Sequence, residues 1–238
     1  GAERFGAESE LAEVLSVDFS GEIKKIESSE GTFKAKTIII ATGAVPRELG
    51  VPGEKELVGR GVGYCATCDG MFYRNKTVMV IGGGNTAAAD AMTLSRICEK
   101  VILVHRRDSL RATKVYHKQL EETPNIEFYW NTTVSEFLYD KKLTGAKLHN
   151  VKTGEDTEIS VDGAFISIGR KPSSELFEGI LAMDEAGYII ADESTRTNIP
   201  GVFAIGDVRT KALRQVVTAV ADGATASHYI EEYLAHQM

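Results

Sequence analysis

Thr77-Val-Met-Val-Ile-Gly82-Gly-Gly84-Asn-Thr-Ala87 decides the fold class of this chain. Its first five residues are apolar or β-branched, which predicts a buried strand, and the G-x-G-x-x-A pattern after them predicts a tight turn that opens a helix. Glycines at such a turn let the backbone approach a pyrophosphate, and the free N–H groups of the helix start attract the anion. A turn that serves only helix packing is the alternative. The residues expected to bind a dinucleotide here are Gly82, Gly84, Asn85, Thr86 and Ala87.

Strand and helix patterns alternate on both sides of this turn. The predicted helices are 86–97 and 110–120, the predicted strands are 101–104, 126–130 and 164–168, and antiparallel strands are predicted between 133 and 159. Such an alternation is typical of a parallel sheet whose strands are joined by crossover helices. The sequence therefore predicts an α/β fold.

A basic cluster follows the strand predicted at 101–104. An NAD site places Asp or Glu about 20 residues after the glycines, where the carboxylate binds the ribose hydroxyls. This chain has His105, Arg106 and Arg107 there, with Arg111 one helical turn further on. Guanidinium groups do not repel a 2′-phosphate and can donate two hydrogen bonds to it. The cluster therefore favours NADP(H) over NAD, and a solvated basic surface is the alternative.

A cysteine pair precedes the glycine turn, in Cys65-Ala-Thr-Cys68-Asp69. One C-x-x-C can be half of a zinc site, but Cys98 is the only other cysteine, so a redox dithiol is favoured and no metal is expected. Asp69 could pass a proton to the thiolate that leaves when a disulfide opens. A turn or N-cap carboxylate is the alternative for this residue.

The order of these motifs predicts an electron path. A redox dithiol beside an NADP(H) site implies that electrons pass from NADPH to a disulfide. A hydride donor and a disulfide are poorly matched in their chemistry, so a flavin is expected between them.

Composition limits the class of protein. The 238 residues are 43% hydrophobic and 26% charged, which is typical of a soluble globular chain. The net charge of −7 argues against a nucleic-acid partner. No apolar run approaches the roughly 18 residues that span a bilayer, and no signal-peptide pattern opens the chain. Since three cysteines do not suggest a secreted disulfide scaffold, we expect a cytoplasmic protein without a membrane partner.

The flanking sequences predict a second region that is mainly β. The predicted strands are 14–19, 21–26, 32–36, 37–41 and 202–205, and the isoleucine-rich strand 37–41 is expected to be buried. The segment 46–63 is a predicted connector, and 214–236 is predicted to form a long amphipathic helix. The first residues are predicted to end a helix near Gly6.

In combination, the motifs resemble those of the low-molecular-weight thioredoxin reductases. The resemblance covers essentially the whole chain. It rests on Gly63-Tyr-Cys-Ala-Thr-Cys-Asp-Gly70, the Gly82–Ala87 turn, His105-Arg-Arg-Asp-x-x-Arg-Ala112 and Gly206-Asp-Val-x(5)-Arg214-Gln215. It implies two Rossmann-like dinucleotide-binding domains of the class II pyridine nucleotide-disulfide oxidoreductase type. The NADPH domain, 47–171, would be inserted in the FAD domain, 1–46 and 172–238.

The resemblance also implies a mechanism. In that family NADPH reduces FAD, the flavin reduces the C-x-x-C disulfide, and the dithiol reduces thioredoxin; the enzymes are homodimers. By resemblance, Cys65 and Cys68 form the active disulfide and Asp69 is the candidate proton donor, while the partner is thioredoxin or a similar small dithiol protein. The residues expected near FAD are Ala41, Thr42, Gly43, Gly206, Asp207, Arg214, Gln215 and Val216.

The chain departs from the family pattern at its beginning. No strand and glycine-rich turn for the FAD pyrophosphate precede Thr37, and Gly59-Arg-Gly-Val-Gly63 follows a polar connector rather than a strand. By comparison with the family, on the order of 70 residues of the FAD domain are expected to be absent, which leaves its site incomplete. The alternative function is therefore a truncated, flavin-free module that binds NADPH and carries a dithiol without turnover. A ferredoxin–NADP reductase of similar fold is a weaker alternative, because the C-x-x-C would then have no role.

Overall fold

The structure, a computed structural model, describes residues 1–237 and contains two compact units. One unit spans residues 46–170; the other is formed by residues 1–45 together with the chain from 171 onward. Which unit binds which cofactor remains a prediction.

The strands, in chain order, are β1 (Val14–Asp18), β2 (Lys24–Ser28), β3 (Gly31–Ala35), β4 (Ile38–Ile40), β5 (Ala44–Pro46), β6 (Val62–Gly63), β7 (Thr77–Ile81), β8 (Lys100–Val104), β9 (Ile126–Tyr129), β10 (Thr132–Tyr139), β11 (Leu143–Asn150), β12 (Asp156–Ser160), β13 (Gly163–Ile166), β14 (Arg170–Pro172) and β15 (Val202–Ala204). The helices are α1 (Glu54–Leu57), α2 (Ala66–Asp69), α3 (Asn85–Ser95), α4 (Lys114–Glu121) and α5 (Val216–Ala235). Short 3₁₀ turns lie at Ala2–Phe5, Gly70–Tyr73, Glu175–Phe177 and Gly206–Val208.

The unit 46–170 is built on a five-stranded parallel sheet with the order β6-β13-β7-β8-β9. Alternate residues of β7 face opposite sides and are buried on both, as expected for a central parallel strand. Val78 and Val80 pack with α3 and α4, whereas Met79 and Ile81 pack with the antiparallel strands β10 and β11. The predicted α/β fold is confirmed, and the carboxyl end of β7 leads directly into the glycine turn.

The predicted helix at 110–120 begins later than expected, at Lys114. The residues before it fold back onto the glycine turn, where the N–H groups of Arg111 and Ala112 both donate to the carbonyl of Gly83, at 2.7 and 3.0 Å. These hydrogen bonds hold residues 111 and 112 against the turn in a non-helical conformation. The helical pattern is thus interrupted by a tertiary contact that no local signal indicates.

The other unit contains a parallel pair, β4 and β15, and an antiparallel sheet of β1, β2 and β3. The prediction that strand 37–41 is buried was only partly right. Ile40 is buried, but Ile39 is 42% exposed, because successive side chains of a strand point to opposite faces and the core cluster covers only one of them. Within residues 1–237, no helix is both long and apolar enough to span a membrane.

Candidate functional site

Cys65 and Cys68 are joined in a disulfide, with the sulfur atoms 2.01 Å apart. Cys65 is the N-cap of α2, and its sulfur accepts a hydrogen bond from the N–H of Cys68 at 3.2 Å. Cys65 is half-buried, whereas Cys68 is exposed. The short helical turn therefore presents one end of the disulfide to solvent, where a second protein can reach it.

Asp69 ends the same helix, and its carboxylate makes no capping hydrogen bond to the 3₁₀ turn that follows. Its negative charge, after the larger effect of burial, helps to raise the pKa of the neighbouring Tyr73 phenol. No capping hydrogen bond therefore supports the alternative that Asp69 is a turn or N-cap carboxylate. The role of Asp69 as a proton donor remains a prediction. In the described part of the chain, no cluster of three or more His, Cys, Asp or Glu side chains is placed to hold a metal ion.

The glycine turn is shaped by close contacts at two of its three glycines. Gly82 has φ +152°, and a Cβ there would collide with the carbonyl oxygen of Ser167 and lie 2.8 Å from the Cβ of Ala87. A Cβ on Gly83 would collide with the ring of His105. Gly84, the N-cap of α3, has no neighbour within 4 Å of its would-be Cβ, so space is left there for a ligand.

We expect Gly82→Ala to lower the free energy of unfolding by on the order of 3 kcal/mol, because it adds backbone strain and a steric collision. Gly84→Ala is the matched control and should change the free energy of unfolding by less than about 1 kcal/mol. Urea denaturation followed by circular dichroism measures both. Equal losses in the two variants would contradict this account of the turn.

The turn opens into a cleft of about 650 Å³. Most of the predicted nucleotide-binding residues lie along it, together with segments that the sequence did not indicate. The lining comprises Arg47, Glu48, Leu49, Val51, Ile81, Gly82, Gly83, Gly84, Thr86, Val104, His105, Arg106, Arg111, Thr132, Thr133, Val134, Ser167, Ile168 and Gly169. All of these belong to the unit 46–170.

Three predicted residues do not line this cleft: Asn85, Ala87 and Arg107. The side-chain oxygen of Asn85 accepts a hydrogen bond from the N–H of Thr113 at 2.8 Å, which ties α3 to the segment before α4. Ala87 is fully buried beneath the turn. The Arg107 carbonyl accepts a hydrogen bond from the N–H of Asn131, and its side chain is exposed. Asn85 and Ala87 thus support the turn rather than line the cleft.

His105 differs from the arginines with which the sequence groups it. Its side chain is only 5% exposed and packs against Gly83, and its Nε2 atom has no hydrogen-bond partner among the described residues. Burial, followed by the charges of Arg111, Arg107 and Arg106, lowers the pKa of the imidazole. His105 is therefore neutral near pH 7, and within this cluster the positive charge at the cleft comes from Arg106 and Arg111, which are exposed; Arg47 lines the same cleft.

Asp90 and Ser167 form a pair that the sequence did not indicate. The Ser167 hydroxyl donates to the Asp90 carboxylate at 2.5 Å, joining α3 to the chain that leaves β13 beside the glycine turn. Burial raises the pKa of Asp90, although the hydrogen bond from Ser167 opposes this. The sequence signal for this pair was the carboxylate of Asp90 on the buried face of a predicted helix. Its partner, Ser167, is 77 residues away in the sequence and could not be inferred from that signal.

In the other unit, the segment 41–43 follows β4 without regular structure, and two hydrogen bonds tie Thr42 and Gly43 to Ser173. The Thr42 hydroxyl donates to the Ser173 carbonyl at 2.5 Å, and the Ser173 N–H donates to the Gly43 carbonyl at 2.9 Å. Gly43 has φ +73°, a conformation that favours glycine, and a Cβ there would meet nothing within 4 Å. The backbone at Gly43 is thus open to close approach by a ligand.

The predicted flavin-site residues after β15 differ in whether their side chains already have partners. The Oδ1 atom of Asp207 is buried and has no hydrogen-bond partner within residues 1–237. The guanidinium of Arg214 lies 3.8 Å from the ring centre of Tyr188, and its Nε donates to the Asp207 carbonyl at 3.3 Å. Gln215 is the N-cap of α5 in a capping box, and Val216 is 81% exposed. Of these residues, only Asp207 has a buried side-chain acceptor that lacks a partner in the described part of the chain.

A buried ion cluster holds the Gly206–Asp207 turn. The Asp222 carboxylate accepts hydrogen bonds from the Gly206 N–H at 2.8 Å, from the Arg209 guanidinium at 2.8 and 2.9 Å, and from the Lys211 ammonium at 2.8 Å. Burial alone would raise the pKa of Asp222, but these donors outweigh burial and lower the pKa to about 2. Asp222 thus fixes the backbone from which Asp207 extends.

The depressed pKa of Asp222 predicts a loss of stability in acid. Because its ordinary value is 3.8, the stabilisation is fully present above about pH 4 and is lost as the pH falls through about 2. We expect this loss to be on the order of 2 kcal/mol in the free energy of unfolding. Urea titrations at several pH values compare the wild type with Asp222→Asn. The difference in the free energy of unfolding between the two proteins should shrink as the pH falls from about 4 to about 2. A difference that stays constant over this range would contradict the low pKa of Asp222.

Comparison with known proteins places the chain among characterised relatives. Residues 4–223 match the family model described as pyridine nucleotide-disulphide oxidoreductase. The thioredoxin reductase of Peptoclostridium acidaminophilum is 46% identical over 239 residues, covering 98% of this chain and 76% of that protein. That of Streptomyces clavuligerus is 48% identical over 236 residues, covering 98% and 73%.

Solved structures agree with these relatives. The crystal structure of thioredoxin reductase from Streptococcus pyogenes MGAS5005 superposes with a TM-score of 0.91 at 41% identity, covering 98% of this chain and 77% of that one. The thioredoxin reductase from Giardia duodenalis superposes with a TM-score of 0.91 at 36% identity, covering 98% and 78%.

Proposed function

The chain belongs to the pyridine nucleotide-disulphide oxidoreductase family, and within it to the thioredoxin reductases, and from that premise we propose that it uses NADPH and FAD to reduce a protein disulfide through Cys65 and Cys68. Family membership supports disulfide reduction in general. The choice of NADPH, the flavin and the residue roles are the parts we add.

One observation carries the proposal: the Cys65–Cys68 disulfide and the glycine-turn cleft belong to the same compact unit. A disulfide closed across a helical turn that exposes Cys68 is accessible to exchange with another disulfide. A cleft at the carboxyl end of parallel strands, beside a glycine turn, is the usual location of a dinucleotide in such folds. The two together support a reductase rather than a nucleotide-binding module alone.

The residues of the cleft fit a phosphorylated dinucleotide. The unfilled space at Gly84 and the start of α3 suit a pyrophosphate, because the first N–H groups of a helix have no intrahelical acceptors. Arg106 and Arg111 are exposed at the same cleft and suit a 2′-phosphate. We assign to the neutral His105 the support of the turn through Gly83.

The residues of the other unit fit part of a flavin site. We assign to Asp207, whose Oδ1 lacks a partner among the described residues, the binding of a ribityl hydroxyl, which could donate to it. The open backbone of Gly43 suits close approach of the same group. Bound NADPH and FAD together supply a hydride donor and a carrier that passes an electron pair to a disulfide.

The chemistry of the cysteines is thiol–disulfide exchange. Two electrons and two protons convert the Cys65–Cys68 disulfide to two thiols, and we assign to Asp69 the delivery of one proton to the departing thiolate. One of these thiols then loses its proton and, as the thiolate, attacks the partner disulfide, forming a mixed disulfide and releasing one partner thiolate, which takes up a proton. The second cysteine attacks the mixed disulfide, which re-forms the Cys65–Cys68 bond and releases the reduced partner.

We propose thioredoxin or a similar small dithiol protein as the partner. Met71 and Phe72, just beyond the disulfide, are 57% and 76% exposed, and such apolar groups suit a protein surface.

Exposed valines at the start of α5, namely Val216, Val217 and Val220, are compatible with the homodimer found in the family. A cytoplasmic location also remains a prediction.

The visible spectrum of the purified chain tests the proposal. We expect a bound flavin whose absorbance near 450 nm bleaches when NADPH is added and returns when oxidised thioredoxin is added. The same titration without thioredoxin is the control, and the absorbance should then stay low in the absence of oxygen. The measurement also decides the alternative function, because a colourless chain that still binds NADPH would be a nucleotide-binding dithiol module rather than a reductase.

A further inference from the structure

Glu54 is a buried carboxylate that the proposed mechanism does not use. It begins α1 in the unit 46–170, and its side chain is only 1% exposed. Three donors reach it: the N–H of Leu49 at 3.0 Å, the N–H of Gly50 at 2.7 Å and the hydroxyl of Tyr64 at 2.9 Å. A carboxylate removed from water needs such donors, so each of these contacts is costly to lose.

The first two donors connect Glu54 to the nucleotide cleft. Leu49 lines the cleft, as do Glu48 and Val51 on either side of the Leu49–Gly50 pair. Gly50 has φ +74°, so the chain turns sharply there, and the carboxylate accepts hydrogen bonds from the consecutive N–H groups of Leu49 and Gly50. The position of this wall of the cleft therefore depends on Glu54.

The third donor connects Glu54 to the redox pair. Tyr64 directly precedes Cys65, and its ring packs against the core beneath the sheet. Burial, followed by its hydrogen bond to Glu54, raises the pKa of the Tyr64 phenol, so the hydroxyl keeps its proton and remains a donor. The residue that leads into the disulfide turn is thus anchored to the same carboxylate as the cleft wall.

We propose that Glu54 is a positioning residue shared by the nucleotide cleft and the Cys65–Cys68 pair. It lines neither site and acts through the backbone of Leu49 and Gly50 on one side and through Tyr64 on the other. The nucleotide half of this inference rests on the proposed function. The redox half depends only on the disulfide.

The first test measures nucleotide affinity by isothermal titration of NADP⁺. In Glu54→Gln, the amide nitrogen cannot accept a hydrogen bond, so one of the donors loses its partner and the cleft wall shifts. We expect a dissociation constant about 10-fold larger in this variant, and about 3-fold larger in Tyr64→Phe, which removes one donor. Glu56→Gln is the matched control: it makes the same chemical change on the same helix at an exposed residue, and should leave the affinity unchanged.

The second test measures the thiol–disulfide equilibrium with glutathione by trapping the free thiols. A less firmly held Tyr64 lowers the effective concentration of the two thiols for one another, which favours the dithiol. We expect Glu54→Gln and Tyr64→Phe each to shift this equilibrium towards the dithiol by about 3-fold. Glu56→Gln should not shift it.

The outcomes separate this inference from the proposed function. A wild type that binds no NADP⁺ contradicts the proposed function, and the glutathione equilibrium then still tests the redox half. A wild type that binds NADP⁺ with the same affinity as Glu54→Gln overturns the positioning role. A lower melting temperature with unchanged affinity and equilibrium overturns it as well. If Glu54→Gln does not fold, Tyr64→Phe provides the test. An unchanged NADP⁺ affinity and an unchanged glutathione equilibrium in Tyr64→Phe overturn the positioning role of Glu54.

Discussion

Cys65→Ser and Cys68→Ser are each expected to reduce the rate of thioredoxin reduction by on the order of 1,000-fold or more. A serine hydroxyl cannot form a disulfide, so the remaining cysteine has no partner with which to take up the electron pair or to resolve a mixed disulfide. NADPH oxidation in the presence of FAD and oxidised thioredoxin measures the rate. NADP⁺ affinity should be retained in both variants, since neither cysteine lines the cleft.

Cys98→Ala is the matched control for these substitutions. Cys98 is a free cysteine buried in the core between α3 and the sheet, and burial raises the pKa of its thiol to about 11. A thiol with that pKa is almost entirely protonated near pH 7 and therefore unreactive. The control should keep the wild-type rate. If either serine variant keeps more than about a tenth of that rate, the disulfide is not on the electron path.

The double variant Arg106→Ala/Arg111→Ala is expected to weaken NADPH binding by on the order of 100-fold and NADH binding by less than about 3-fold. Both guanidinium groups lie at the cleft, whereas the neighbouring imidazole is neutral, so within the cluster that follows β8 the two arginines supply the positive charge for a 2′-phosphate. NADH lacks that phosphate, so its binding affinity should change little in the double variant. Titrations followed by nicotinamide fluorescence give both dissociation constants.

Arg74→Ala is the matched control, because Arg74 is an exposed arginine of the same unit that does not line the cleft. It should change neither affinity. Equal losses of NADPH and NADH binding in the double variant would refute the 2′-phosphate assignment and point to a general disturbance of the cleft.

Local patterns predicted the features that depend on neighbouring residues. The five-residue strand Thr77–Ile81 is buried on both faces and its apolar residues are consecutive, so its central place in a parallel sheet follows from sequence alone. The turn at Gly82 and the closure of Cys65 with Cys68 are likewise set within a few residues. The predicted helix at 110–120 begins only at Lys114, because hydrogen bonds to Gly83 hold residues 111 and 112 in a non-helical conformation.

Partners that are distant in sequence could not be predicted in this way. The sequence grouped His105 with the arginines as a basic cluster, yet packing on Gly83 removes the imidazole from water and makes it neutral. The contact between Asp90 and Ser167 spans 77 residues, so no periodic pattern connects the two. Glu54 occurs in a polar connector and carried no signal at all.

The sequence by itself determined the chemical groups of the proposed site: a cysteine pair at Cys65 and Cys68, a glycine turn at Gly82 and Gly84, and guanidinium groups beyond the next strand. Each of these features consists of a few residues close together in the sequence, and the covalent geometry of the chain leaves such residues few possible positions relative to one another. Only the tertiary structure decided which side chains keep their charge and which hold others in place. Burial and hydrogen bonding between distant segments determine the environment of His105, Asp222 and Glu54, and these arise only when the sheet brings those segments together.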